Sequence, residues 1–113
     1  MKLITAYIQP FMAEKVTDAL RTANVHGVTV LACQGFGRMT EGKAPHYLDE
    51  GAQLGFVNKT RIEIVCADAA AEGTIAIIRD HAHTGHHGDG KIFVSDVGTV
   101  VDIRTGDRGE PVL

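Results

Sequence analysis

Three short stretches of this sequence set glycine beside a charged side chain, a pairing that suits the binding of an anion. Gly85-x-x-Gly88-Asp89-Gly90-Lys91 is the densest. Glycine lets the backbone approach a ligand closely and turn successive N–H groups toward one point, forming a nest for negative charge. Lys91 adds a mobile ammonium at its edge. Gly35-Phe36-Gly37-Arg38 and Arg104-Thr105-Gly106-Asp107-Arg108 repeat the association. A single stretch of this kind is better read as a tight turn with a solvated cation. Three of them, in a chain whose 11 Lys and Arg are outnumbered by 14 Asp and Glu, concentrate cations where a polyphosphate would need them. Together they point to ligand binding and leave the ligand open.

Other chemistries find less support. No Gly-x-x-x-x-Gly-Lys-Ser/Thr run follows a strand and opens a helix, so a Walker-type site is excluded. Hydrolysis needs a positioned water and commonly a metal-binding carboxylate. Asp89 and Glu63 are available, but nothing singles either out. Slow nucleotide hydrolysis is therefore a rival reading without a nucleophile–base pair behind it. His81, His83, His86 and His87 crowd one short segment, and imidazole binds Zn²⁺, Cu²⁺ and Ni²⁺. Only His86 and His87 fall in the predicted loop, and adjacent side chains commonly point apart. A metal-responsive role for that pair is an alternative; the leading expectation is that no metal is bound. Cys33 and Cys66 sit in apolar runs as small hydrophobes, and neither spacing nor chain size calls for a disulfide.

These loops must be positioned by regular elements. Leu3 to Ile8 reads as a buried strand. Pro10 suits a first helical turn, and Met12, Val16, Leu20 and Ala23 recur along one helical stripe. Asn24 and Gly27 stop that helix, and Val28 to Ala32 reads as a second strand. Periodicity then vanishes from Gly35 to Gly55, a loop long enough to imply function. It returns at Thr60, with Ile62, Ile64 and Cys66 on one side of a strand and Glu63 and Val65 on the other. Asp68 is expected to cap an alanine-rich helix carrying Ile75, Ile78 and Ala82. Ile92, Phe93 and Val94 make a fourth strand, which Val100, Val101 and Ile103 either extend or follow with another.

The order βαββαβ predicts an α+β, ferredoxin-like fold: a four-stranded antiparallel sheet with both helices on one face. Its other face is left uncovered and apolar enough to pack on another subunit. At 113 residues the chain has room for one domain, spanning 1–113. Glycine is in excess, 13 of 113 or about 12% against roughly 7% in average proteins. Negative net charge and the lack of tryptophan argue against nucleic-acid binding. No apolar run approaches the roughly 20 residues of a membrane span, and the N-terminus has no signal-peptide layout. A soluble, cytoplasmic domain is the expectation.

The sequence resembles the PII signal-transduction family over almost its whole length. The matching stretches are Met1-Lys2-Leu3-Ile4, Gly35-Phe36-Gly37-Arg38, Arg61-Ile62-Glu63-Ile64-Val65, Thr84-Gly85 with Gly88-Asp89-Gly90-Lys91-Ile92-Phe93-Val94, and Arg104-Thr105-Gly106. The resemblance implies a homotrimer that binds ATP or ADP in clefts between subunits. It also implies a T-loop, about residues 37–58, that docks on transporters, enzymes or regulators. Gly88, Asp89, Gly90 and Lys91 match the phosphate-wrapping B-loop, about 84–91, and Gly35, Gly37 and Arg38 match the T-loop base beside it. Thr29, Glu63, Val65 and Arg104, the last in the C-terminal loop of about 104–113, match positions supplied by the neighbouring subunit. Lys59 matches a lysine that contacts the effector.

Three departures qualify what the resemblance implies. Met39 stands where 2-oxoglutarate-sensing members carry glutamine, and a thioether cannot replace that hard oxygen ligand for Mg²⁺. Asp102 stands where many members have an arginine near the phosphates. Leu54 replaces the uridylylated tyrosine of the best-known members, and nearby Tyr47 aligns with a different loop tyrosine. The expectation is binding of ADP or AMP in preference to Mg-ATP, without a strong 2-oxoglutarate response. Arg38, Lys59 and Arg61 are candidate ligands for a small anionic effector such as bicarbonate, although for Arg61 loop ordering or solvent exposure is the simpler reading. The expected target is a transporter.

Overall fold

A computed structural model describes residues 1–37 and 55–113. Its elements are β1 (Lys2–Ile8), a 3-10 turn (Pro10–Met12), α1 (Ala13–Thr22), β2 (Val28–Gly35), β3 (Val57–Cys66), α2 (Asp68–Ala82), β4 (Gly90–Asp96) and a closing 3-10 turn (Glu110–Val112). The strands form one sheet in the order β2-β3-β1-β4, and every pairing is antiparallel. This is the ferredoxin-like α+β architecture that the element order implies.

Alternation within the strands decides which face is buried. Ile4, Ala6 and Ile8 of β1 and Ile62 and Ile64 of β3 turn to one side. There they meet Val16 and Leu20 of α1 and Ala71, Ile78 and Ala82 of α2 in a single core. Both helices therefore cover the same sheet face. The registers place residues in rows across the other face: Thr29, Glu63, Thr5 and Phe93 form one, and Leu31, Arg61, Tyr7 and Lys91 the next. No helix among the described residues is long and apolar enough to cross a membrane.

Several boundaries differ from the sequence expectations, each for a local reason. Pro10 opens a 3-10 turn, and the α-helix proper begins at Ala13. Ala23 falls just beyond it, and Asn24 takes the left-handed conformation with φ of 63°. Strands β2 and β3 run on to Gly35 and from Val57, because pairing continues through Gln34–Asn58 and Gly35–Val57. Cross-strand hydrogen bonding there outlasts any hydrophobic pattern. Asp68 is the first residue of α2, not its cap; Ala67 holds the cap position, and the Asp68 carboxylate pairs with the N-terminal ammonium at 2.9 Å. Val100 to Ile103 form no strand beyond one bridge between Val101 and Arg108. Ile103 is fully exposed.

Candidate functional site

The segment between α2 and β4 is a compact loop organised by one carboxylate. Asp89 accepts hydrogen bonds from the N–H groups of Thr84 (2.8 Å) and Gly85 (2.9 Å) and from the Thr84 hydroxyl. These donors, the Thr84 hydroxyl first, hold the Asp89 carboxyl below its ordinary range. Asp89 is thus a builder of the loop, a role the spacing of residues alone did not reveal. Gly85, Gly88 and Gly90 all have positive φ, at 89°, 97° and 106°. At Gly90 a Cβ would strike the Tyr7 carbonyl oxygen and lie 2.8 Å from its carbon. Only glycine lets β4 start so close to the end of β1.

A second contact set ties this loop to the sheet. The Gly88 carbonyl accepts from Lys59 Nζ at 2.7 Å and from Gln9 Nε2 at 2.6 Å. Partial burial lowers the pKa of the Lys59 ammonium, partly offset by the nearby Asp89 carboxylate. Gln9 escaped the sequence reading. Its only signal was a polar residue between an apolar strand and Pro10.

Lys59, Gly90 and Lys91 line a cleft of about 320 Å³ together with Tyr7, Gly35, Phe36, Gly37, Val57 and Phe93. Four of the residues singled out for nucleotide binding, Gly35, Gly37, Gly90 and Lys91, therefore meet in space, with Gly88 bonded to Lys59 beside them. Phe36 and Phe56 pack edge to face at 5.6 Å where the long loop leaves and rejoins the sheet. Arg38, Met39, Tyr47 and Leu54 lie outside the described residues.

The remaining candidates sit elsewhere. Thr29 pairs with Glu63 across β2 and β3. Six residue steps along the strand separate Thr29 from Gly35, about 20 Å at roughly 3.3 Å each. Val65 lies further along β3, pairing with Leu3. Arg104 rides on the C-terminal turn, whose shape depends on Asp102: its carboxylate accepts from the N–H groups of Arg104 (2.8 Å) and Thr105 (3.1 Å). Within one chain, then, the Thr29–Glu63–Val65 group does not share the cleft of Lys91. Arg61 forms an ion pair with Glu63 and places its guanidinium 5.9 Å from the centre of the Tyr7 ring. Its side chain lies half-buried on the sheet face opposite the helices. Among the described residues no three His, Cys, Asp or Glu side chains converge as a metal cage. Cys33 and Cys66 are free thiols.

The chain matches known proteins over nearly its whole length. The family model described as Nitrogen regulatory protein P-II matches residues 1–107. Nitrogen regulatory protein P-II of Mesorhizobium japonicum is 46% identical over 109 residues, 96% of each chain. Its counterpart in Rhizobium meliloti is 44% identical over the same shares. Nitrogen regulatory protein GlnK of Escherichia coli K12 is 40% identical over 113 residues, the whole of both chains. Matches of this extent, on this fold, place the chain in the P-II family of nitrogen regulatory signalling proteins.

Proposed function

We propose that this chain is a cytoplasmic homotrimeric regulator that binds adenine nucleotides in clefts between subunits. Through its T-loop it then acts on a partner, a membrane transporter being the class carried over from the family. The observation that carries this reading is the cleft joining Gly35, Gly37, Lys59, Gly90 and Lys91 beside three positive-φ glycines. Backbone N–H groups, a lysine and open space are what a phosphate chain requires. The separation of Thr29, Glu63 and Val65 from that cleft supports a site completed by a second chain. So does the uncovered sheet face, where Leu31 and Phe93 stand exposed and Tyr7 packs against Phe93.

ADP or AMP is the preferred ligand over Mg-ATP. Met39 offers no hard oxygen for magnesium, and Asp102 contributes a carboxylate where an arginine would attract phosphate. Losing one charge-assisted phosphate contact costs about 1.5–3 kcal/mol, enough to reorder nucleotide preference. Lys59, at the cleft wall, is the group that would meet a small anionic effector such as bicarbonate. The chain acts as a binding regulator and not as an enzyme.

Titration calorimetry with AMP, ADP and ATP, each with and without Mg²⁺, 2-oxoglutarate and bicarbonate, tests the reading. Micromolar or tighter ADP binding supports it. A large rise in ATP affinity with Mg²⁺ and 2-oxoglutarate would overturn the assigned preference, and steady nucleotide turnover would overturn the regulator reading.

A further inference from the structure

Gln9 stands between β1 and Pro10 with only 4% of its surface exposed. Its backbone carbonyl is engaged by Met12 N–H at 2.9 Å, fixing the chain where the strand ends. Its side chain reaches across to the loop before β4 and donates from Nε2 to the Gly88 carbonyl at 2.6 Å. The amide cannot be turned the other way, because that would set Oε1 against another oxygen. Oε1 is consequently buried without a hydrogen-bond partner. Leaving a buried acceptor unmatched carries a penalty, so the contact to Gly88 is maintained against a cost.

The Gly88 carbonyl belongs to the same planar unit as the Asp89 N–H. In a trans peptide these two groups point in opposite directions, and no cis peptide is present. With the carbonyl held by Gln9 and Lys59, the Asp89 N–H is directed away from both. Gly88, with positive φ and no side chain, leaves the near side of this peptide unconstrained. On the far side Asp89 is anchored through its carboxylate to Thr84 and Gly85, and the donors to the carbonyl complete the setting of the plane.

We propose that Gln9 is a positioning residue for phosphate binding. Its amide fixes the Gly88–Asp89 peptide plane so that the Asp89 N–H presents itself to an anion in the loop. Lys59 shares the carbonyl, but it is also the cation beside the cleft and is drawn off when an anion pairs with it. Gln9 is neutral and buried, and it keeps the plane set when that happens. The inference rests on the nucleotide reading above and adds a residue to it that touches no ligand.

The test compares ADP with adenosine, which lacks phosphates, on the full chain and on Gln9→Met and Gln9→Glu. Met preserves length without a donor. Glu places an acceptor against the Gly88 carbonyl and attracts Lys59 away from it. The wild type is expected to favour ADP over adenosine. Gln9→Met should lose roughly tenfold in ADP affinity, the size of one hydrogen bond to a charged group, and Gln9→Glu more, with adenosine affinity unchanged in both. The Asp89 amide resonance should also shift on adding pyrophosphate to the wild type and stay in place in the variants. Equal losses for ADP and adenosine, or none for either, would overturn the role of Gln9 while leaving the nucleotide reading intact. A wild type that does not distinguish ADP from adenosine would overturn both.

Discussion

Replacing Gly90 by alanine tests the seat of the loop directly. Gly90 opens β4 opposite Ile8, with φ of 106°. A Cβ there collides with the Tyr7 carbonyl oxygen, lies 2.8 Å from Tyr7 C and 3.4 Å from Ile8 Cα. All three obstacles are backbone, so no rotamer relieves the contact. Alanine cannot keep this geometry, so two costs arise: one route is backbone strain of about 1–3 kcal/mol where φ stays positive, the other the movement of β4 away from β1 that the collision forces. The second route gives up pairing at Ile8–Gly90, about 0.5–1.5 kcal/mol for each hydrogen bond. Some of both gives about 2–4 kcal/mol, a large share of the roughly 5–15 kcal/mol that stabilises a typical domain. For a chain of this size that lowers the melting temperature by about 10–25 °C. Guanidinium unfolding of Gly90→Ala is best read beside two companions. Gly85 has φ of 89°, but a Cβ there finds its nearest neighbour, His83 Cε1, at 3.9 Å, so Gly85→Ala should show strain alone. Gly98 has no positive φ and nothing within 4 Å, so Gly98→Ala should be neutral or stabilising by about 0.4–1 kcal/mol. If Gly90→Ala unfolds at the same midpoint as Gly98→Ala, close approach to Tyr7 is not what requires glycine.

Two further outcomes follow from the same loop and cleft. Because the folded-state pKa of Asp89 is depressed below its ordinary 3.8, its contribution to stability is present above that value and lost as pH falls through the folded-state value. Amide resonances of Thr84 and Gly85 should therefore titrate below about pH 4 and lose that transition in Asp89→Asn; an unchanged titration in the variant would count against the Asp89 latch. If, as proposed, the chain is a trimer in which one subunit supplies Lys91 and its neighbour Glu63, Lys91→Met and Glu63→Gln proteins should each bind ADP poorly, whereas mixed trimers recover some intact clefts. Failure of mixing to restore any binding, with mixed trimers confirmed by mass, would refute a shared site.

What the sequence disclosed follows from which forces leave a periodic trace. Alternating burial in Ile62 and Ile64, and the helical stripe of Val16 and Leu20, are repeated side-chain events, so the core and the topology could be read directly. The ends of β2 and β3 could not. Gln34 and Asn58 extend the pairing through backbone hydrogen bonds and a side-chain contact of 3.1 Å, which need no hydrophobic pattern. Asp68 misled for a related reason: a carboxylate at a helix start satisfies the helix dipole from the first turn as well as from the cap, and here it pairs with the N-terminal ammonium while staying exposed. The glycine-and-lysine motif located the cleft because backbone geometry demands particular residue types there. It did not disclose how the loop is held, since Asp89, Gln9 and Lys59 come from three separate parts of the chain.

That distribution bears on how such a cleft can signal. Lys59 lies on β3 just after the long loop rejoins the sheet, and its ammonium grips the loop before β4. An anion that pairs with Lys59 draws on an ammonium already bonded to the Gly88 carbonyl. Binding at the cleft therefore changes the forces on both loops at once, with no motion of the core required. Burial makes the exchange more responsive, because a partly desolvated ammonium gains more from a full negative charge than from a carbonyl dipole. Gln9 is neutral and gains nothing by leaving. The two donors on one carbonyl thus differ in kind: Gln9 holds the loop before β4 in shape, and Lys59 is the contact that an arriving anion can change.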